Sequence, residues 1–205
     1  MHIYYILFII SCIVYSSRAS VASLTKVKPH AVVIGGSLAG LMSATVLSEH
    51  FTVTILEKDS SENLLPRESV VERMKSRSGI PQGRHIHVLL AKGAQILEEL
   101  FPGIQSELVL NGATSVDWPV EYASCIDGRW FARPDGSKNS GINTILCSRP
   151  LIESTVRRRT IGNNAIACIS DRRCTGLEAI DGSITGVLTR CTRTGINVTL
   201  IKRLK

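Results

Sequence analysis

The sequence is poor in aromatic residues: two tryptophans, four tyrosines and four phenylalanines in 205 residues. It has no aromatic–basic interleaving, no zinc-finger spacing and no ribonucleoprotein motif. Nucleic-acid recognition is therefore not expected. A C-x-x-C pair is also lacking. The six cysteines are Cys12, Cys125, Cys147, Cys168, Cys174 and Cys191, and no histidine stands near the closest two, Cys168 and Cys174. Neither a metal site nor a disulfide framework is expected, and the thiols read as packing groups. There is no internal repeat, no low-complexity tract and no sustained heptad. Acidic residues are in deficit, 17 against 24 Lys and Arg, for a net charge of +7. The basic residues gather weakly, at Arg157–Arg159, Arg172–Arg173 and Lys202, Arg203 and Lys205, and read as a solvated face. What remains is a globular composition, 44% hydrophobic and 20% charged, of a size suited to one domain or a little more.

A single long apolar run is present, from Ile3 to Tyr15, interrupted only by Ser11. A membrane-spanning helix needs about 20 apolar residues, so the run is short for that purpose. A secretory signal needs only about 7–15, followed by small residues at a cleavage site. Ser17-x-Ala19 and Ser20-x-Ala22 supply that pattern, although Met1-His2 brings no Lys or Arg. Residues 1–22 are read as a signal peptide or a short uncleaved anchor. The expected location is the secretory pathway, with membrane contact only if the segment is retained.

Downstream, Ala31–Ile34 is a β-branched apolar run that predicts a buried strand. Gly35-Gly36-Ser37 predicts a turn, Leu38–Glu49 a helix and Phe51–Leu56 a second strand. A strand–helix–strand unit this short places its two strands parallel. Residues 59–79 read as a loop. The apolar spacing of Val88, Leu89, Ile96, Leu97 and Leu100 predicts a helix over 84–100, stopped by Pro102-Gly103. Short strands are expected in 104–147, around turns at Asp127-Gly128 and Pro134-Asp135-Gly136, with another at Ile145–Cys147. Pro150 suits the first turn of a helix running to Arg159. Residues 165–170 predict a strand, 177–180 and 184–188 a hairpin around Asp181-Gly182, and 198–201 a further strand.

The chemistry lies in the first unit. Gly35-Gly36-Ser37-Leu38-Ala39-Gly40 matches G-x-G-x-x-G at its first and third glycines, with Ser37 at the second. The first glycine permits a tight turn, the second position lets backbone approach a pyrophosphate, and the third lets the helix sit close to the strand. The helix start offers N–H groups and a positive dipole end to phosphate. Glu57 follows Gly35 by 22 residues, at the end of the second strand, where an acid accepts hydrogen bonds from ribose hydroxyls. An acid there disfavours a 2′-phosphate, which favours FAD or NAD over NADP.

With Glu57-Lys58, this stretch resembles the FAD-binding start of aromatic-ring-hydroxylase-type flavoprotein monooxygenases. Residues 79–90 (GIPQGRHIHVLL) and 96–103 (ILEELFPG) look like the subgroup that includes polyketide epoxidases. Ser148-Arg149-Pro150-Leu151-Ile152-Glu153 with Val156–Arg159 resembles the family's segment where an arginine opens a helix beside the flavin nucleotide, and Leu177–Arg190 resembles its β-meander. The resemblance implies an α/β fold: a Rossmann-like FAD-binding βαβ with inserted helices and a small β-meander, over residues 29–205. It implies cofactor binding by Gly35, Gly36, Ser37, Leu38, Ala39, Gly40, Glu57, Lys58 and Arg149, and places Gln82, Arg84, His85 and His87 near the flavin or the substrate mouth. Two positions apart in a helix start, His85 and His87 would not share a face, so no metal pair is expected. The family continues with an Asp-Ala-Thr-Gly-like turn and a Gly-Asp motif, absent before Lys205. The expected domain is thus a C-terminally truncated, partial one. The implied activity is FAD-dependent monooxygenation of a small organic substrate, with a reduced nicotinamide as donor. The alternatives are a non-catalytic nucleotide-binding remnant or a secreted interaction module. No catalytic side chain is assigned, because in flavin hydroxylation the cofactor carries the chemistry.

Overall fold

The computed structural model describes residues 12–14, 28–60, 83, 85–131 and 139–200. They belong to two compact units, residues 1–65 with 156–205, and residues 66–155.

The first unit is built on a four-stranded sheet. Strand β1 (Cys12–Val14) lies antiparallel on the edge of β2 (His30–Ile34), with Ile13 opposite Val32. These three residues are the described part of the N-terminal apolar run. Strand β2 is followed by helix α1 (Leu38–Leu47) and strand β3 (Thr52–Leu56), and β3 pairs parallel to β2 with His30 opposite Thr52 and Ile34 opposite Leu56. Strand β9 (Ile166–Ile169) adds parallel to the far edge of β3. The apolar runs of β2 and β3 bury Ala31, Val32, Val33, Val53, Ile55 and Leu56 to 7% exposure or less, as strands covered on both faces require. Helix α1 contributes Leu41 and Ala44, both fully buried. Each fully buried Val, Leu or Ile contributes about 1.5–3 kcal/mol.

A second, antiparallel sheet takes the order β10 (Arg172–Ile180), β11 (Ser183–Cys191), β12 (Asn197–Leu200). Its hairpin turns at Asp181 and Gly182, with φ of 49° and 73°. Two successive positive φ values suit an Asp-Gly turn. Val187 of this sheet packs with Val32 and Leu56, flanked by Ile34, Ile169 and Cys174. The hairpin is longer at both ends than its sequence pattern suggests, because backbone pairing continues to Arg172 opposite Cys191.

The second unit holds an antiparallel sheet of β4 (Ile86–Leu89), β8 (Asn143–Ser148) and β5 (Thr114–Asp117), and a hairpin of β6 (Cys125–Ile126) with β7 (Arg129–Trp130). Its helices are α2 (Ala91–Leu100), α3 (Ile104–Leu110) and α4 (Trp118–Glu121). Helix α5 (Arg149–Ile161) contains residues of both units.

Two expectations are corrected here. The helix predicted over 84–100 begins only at Ala91, because Ile86–Leu89 pairs with Ile145–Ser148 as strand β4. Beyond the Pro102-Gly103 stop, a second helix, α3, starts where strands were expected. Gly103 has φ 83°, and the Glu98 carboxylate accepts from the Gly103 and Gln105 amides at 2.5 and 3.1 Å, so the chain turns and re-enters helix at once. The predicted loop beyond Ser60 and the turn at Pro134-Asp135-Gly136 lie outside the described residues.

Candidate nucleotide site

The site is assembled in the first unit where β2 leaves the sheet. Gly35 turns with φ 96°, a left-handed conformation that glycine accepts without a Cβ penalty. Its N–H donates to the Leu56 carbonyl at 2.8 Å, which ties the turn to the end of β3. Ser37 is extended, with φ −82° and ψ −179°, and its carbonyl accepts the first helical bond, from Leu41 N–H at 2.9 Å. No acidic residue stands in the first turn of α1.

Gly40 is tightly enclosed. A Cβ there would lie 1.9 Å from the Gly35 carbonyl oxygen and 3.4 Å from Val33 Cγ1. The helix can therefore start directly against the strand it follows only with glycine at this position. Gly36 is also enclosed. A Cβ on it would meet Glu57 Oε2 at 3.1 Å, Ile55 Cγ2 at 3.3 Å and Arg157 Nη1 at 3.4 Å.

Both polar groups of Gly36 are taken by buried side chains. Its N–H donates to Glu57 Oε2 at 2.9 Å, and its carbonyl accepts from Arg157 Nη2. The other Glu57 oxygen accepts from Asp59 N–H at 3.0 Å. Glu57 is 2% exposed and Arg157 4%. Their opposite charges, close together out of water, satisfy the rule that buried ions come with partners. Cys168 on β9 lies beside both. Burial holds its thiol above the ordinary cysteine range, the Arg157 charge opposes this, and the Glu57 charge adds to it.

The structure thus places Gly35, Gly36 and Ser37 in the turn and Leu38, Ala39 and Gly40 at the start of α1, with Glu57 bonded to the Gly36 amide. Lys58 follows in the chain, half-buried, and its carbonyl accepts from the Thr192 hydroxyl at 3.1 Å. Arg149 lies in the second unit at the start of α5, with its Nε 3.5 Å from Glu153 Oε2 one helical turn on. The residue missed by sequence reasoning is Arg157, read within its triplet as part of a solvated basic face. Helical spacing carried a signal: Arg149, Glu153 and Arg157 recur every four residues, and so lie along one stripe of the helix.

Gln82 and Arg84 are outside the described residues. His85 and His87 correct the helical placement given to them. His87 lies in strand β4 and His85 at the bend just before it, and the His87 ring bonds the His85 carbonyl at 2.8 Å. Among the described residues no group of three or more His, Cys, Asp or Glu is placed to hold a metal ion.

No family model matches the sequence. Protein Rv3254 of Mycobacterium tuberculosis is 44% identical over 91 residues, which is 44% of this chain and 17% of that protein. Among solved structures, the chain resembles pqsL, a probable FAD-dependent monooxygenase from Pseudomonas aeruginosa, with a TM-score of 0.56 at 16% identity over 82% of this chain and 39% of that one. It resembles p-nitrophenol 4-monooxygenase PnpA from Pseudomonas putida to the same TM-score of 0.56, at 15% identity over 84% of this chain and 38% of that one. For 2-methyl-3-hydroxypyridine-5-carboxylic acid oxygenase the TM-score is 0.53 at 16% identity, over 84% of this chain and 37% of that one. The chain therefore shares a mixed α/β fold with part of these monooxygenases, and spans well under half of their length.

Proposed function

We propose that the chain binds the ADP half of FAD and forms the nucleotide-binding part of a monooxygenase acting on a small organic substrate. The carrying observation is the closed turn around the Gly36 peptide, with Glu57 at the end of the adjoining parallel strand. Gly40 seats α1 so close to β2 that the amides at the helix start lie at the rim of the turn, where a phosphate gains both hydrogen bonds and the dipole. In this reading the Ser37, Leu38 and Ala39 amides receive the pyrophosphate. The Glu57 carboxylate accepts from the Gly36 and Asp59 amides, and in this reading it is also the acid that receives the ribose hydroxyls. Lys58 and Arg149 are assigned to the cofactor's phosphate and adenine side on the resemblance.

FAD bound here and reduced by a nicotinamide donor would supply the dioxygen chemistry, and the chain's own residues bind and orient it. The fold shared with FAD-dependent monooxygenases supports FAD as the dinucleotide. The structure of PqsL with 2-aminobenzoylacetate supports a substrate of small organic type. The test is direct: the full chain, expressed with added FAD and passed through gel filtration, is expected to retain a bound-flavin spectrum. Colourless protein that still binds ADP would reduce the reading to a nucleotide-binding module. Loss of both would overturn it.

The N-terminal run is assigned as a secretory signal. N-terminal sequencing of protein recovered from the medium is expected to begin at Ser20 or Ser23. A mature chain that keeps Met1 would overturn that assignment, and would leave Cys12–Val14 on the edge of β2 as a permanent strand.

A further inference from the structure

The glycine turn and helix α1 carry no charge of their own: residues 35–48 contain no Asp, Glu, Lys or Arg. The charge beside the turn comes from elsewhere, and two side chains distant in sequence bring it. Glu57 takes the Gly36 N–H and Arg157, 121 residues away from Gly36, takes the Gly36 carbonyl.

A trans peptide is planar, with its C=O and N–H pointing in opposite directions. Two successive peptide planes are therefore fixed. Glu57 holds the N–H of the Gly35–Gly36 plane, which sends the Gly35 carbonyl the other way, onto Gly40, where a Cβ would lie 1.9 Å from that oxygen. Arg157 holds the carbonyl of the Gly36–Ser37 plane, which sends the Ser37 N–H away from the guanidinium. With its N–H committed to Glu57, Gly36 leaves the Ser37 amide as the first of the turn to meet a phosphate.

Resting on the nucleotide reading above, we propose that Arg157 is a positioning residue of this site: by holding the Gly36 carbonyl it aims the Ser37 N–H at the phosphate, and so tunes the site for phosphorylated over unphosphorylated nucleosides. Arg157 does not touch the ligand in this arrangement. The residue is 4% exposed, and its guanidinium donates to the Gly36 carbonyl. Its fork suits this better than an ammonium would, because Nη2 reaches the carbonyl while Nη1 stands 3.4 Å from the position of a Gly36 Cβ, beside Glu57.

The experiment compares ADP and adenosine binding to the full chain by calorimetry, for the wild type, Arg157→Met and Arg157→Lys. Arg157→Met is expected to weaken ADP by about tenfold or more, the range for one charge-assisted hydrogen bond, while adenosine, which makes no phosphate contact, changes by about twofold or less. Arg157→Lys keeps the charge without the fork and is expected to recover only part of the ADP affinity. Equal weakening of ADP and adenosine in both variants would make Arg157 a general structural support and overturn the proposal. An unchanged ADP affinity would overturn it as well. If Arg157→Met does not fold, Arg157→Lys supplies the same ADP-to-adenosine comparison. A wild-type chain that binds neither ligand would overturn the nucleotide reading itself, and is recognisable because no variant is needed to see it.

Discussion

Gly40→Ala is expected to cost the chain about 3–5 kcal/mol of stability, at the upper end of what a single core substitution does. The new Cβ would sit 1.9 Å from the Gly35 carbonyl oxygen and 3.0 Å from its carbon, both backbone atoms that no side-chain rotation can move away. Relief requires α1 to lift off β2. That would withdraw Leu41 and Ala44 from positions they fill at 0% exposure, and would pull on Gly35, whose N–H is fixed to Leu56. At roughly 2–4 °C per kcal/mol for a chain of this size, the midpoint of thermal unfolding should fall by about 10 °C or more. Gly93→Ala is the control. It too lies inside a helix, but its Cβ would meet only a Leu89 methyl, at 3.0 Å, the mobile end of a side chain. The gain in helix propensity there, up to about 1 kcal/mol, offsets the crowding. Equal thermal midpoints for Gly40→Ala and the wild type would mean that α1 is not seated on the Gly35 carbonyl.

What the sequence revealed follows the range of the interactions involved. Strand β2, the glycine turn, α1 and β3 are contiguous, each written in a local pattern: β-branched runs, Gly35 at a positive φ, a helix without breakers. Their placement relative to Glu57 follows from the 22-residue separation of Gly35 and Glu57 alone. Ile86–Leu89 failed for the opposite reason. The segment is apolar enough for the start of a helix, and what makes it a strand is β8, more than fifty residues later. Helix α3 was hidden because Pro102-Gly103 reads as a stop, whereas Gly103 in a left-handed turn ends one helix and opens the next. Arg157 was hidden twice over. It sits in a run of three arginines, where exposure is the ordinary expectation, and its partner is a backbone carbonyl, which no side-chain pattern records. Apart from the four-residue spacing of Arg149, Glu153 and Arg157, it is the burial of Val156 and Thr160, at 0% and 1% exposure, that shows this part of α5 to face inward.

Glu57→Gln is expected to abolish useful nucleotide binding, with ADP affinity falling by about a hundredfold, because the substitution removes both the charge and half of the acceptor capacity. In the wild type the two carboxylate oxygens accept from Gly36 N–H at 2.9 Å and Asp59 N–H at 3.0 Å. A glutamine presents one carbonyl oxygen and one NH2. One of the two backbone donors must then face another donor, and the ribose hydroxyls lose an ionised acceptor. The effect extends to the fold, since Glu57 is 2% exposed and its two charge-assisted bonds tie Gly36 and Asp59 in place. A hydrogen bond to a charged group contributes about 1.5–3 kcal/mol, so Glu57→Gln should also unfold at lower denaturant concentration, and Glu57→Ala at lower still. The two consequences separate in a titration of the folded protein at low temperature. A site that uses Glu57 for ribose loses both ADP and adenosine, whereas loss of Arg157 is expected to spare adenosine. If the folded Glu57→Gln chain binds ADP as tightly as the wild type, Glu57 is a structural clamp on the Gly36 and Asp59 amides, and the ribose is received elsewhere. Together the Glu57 and Arg157 variants test each half of the Gly36 peptide clamp, the N–H side against the ribose and the carbonyl side against the phosphate.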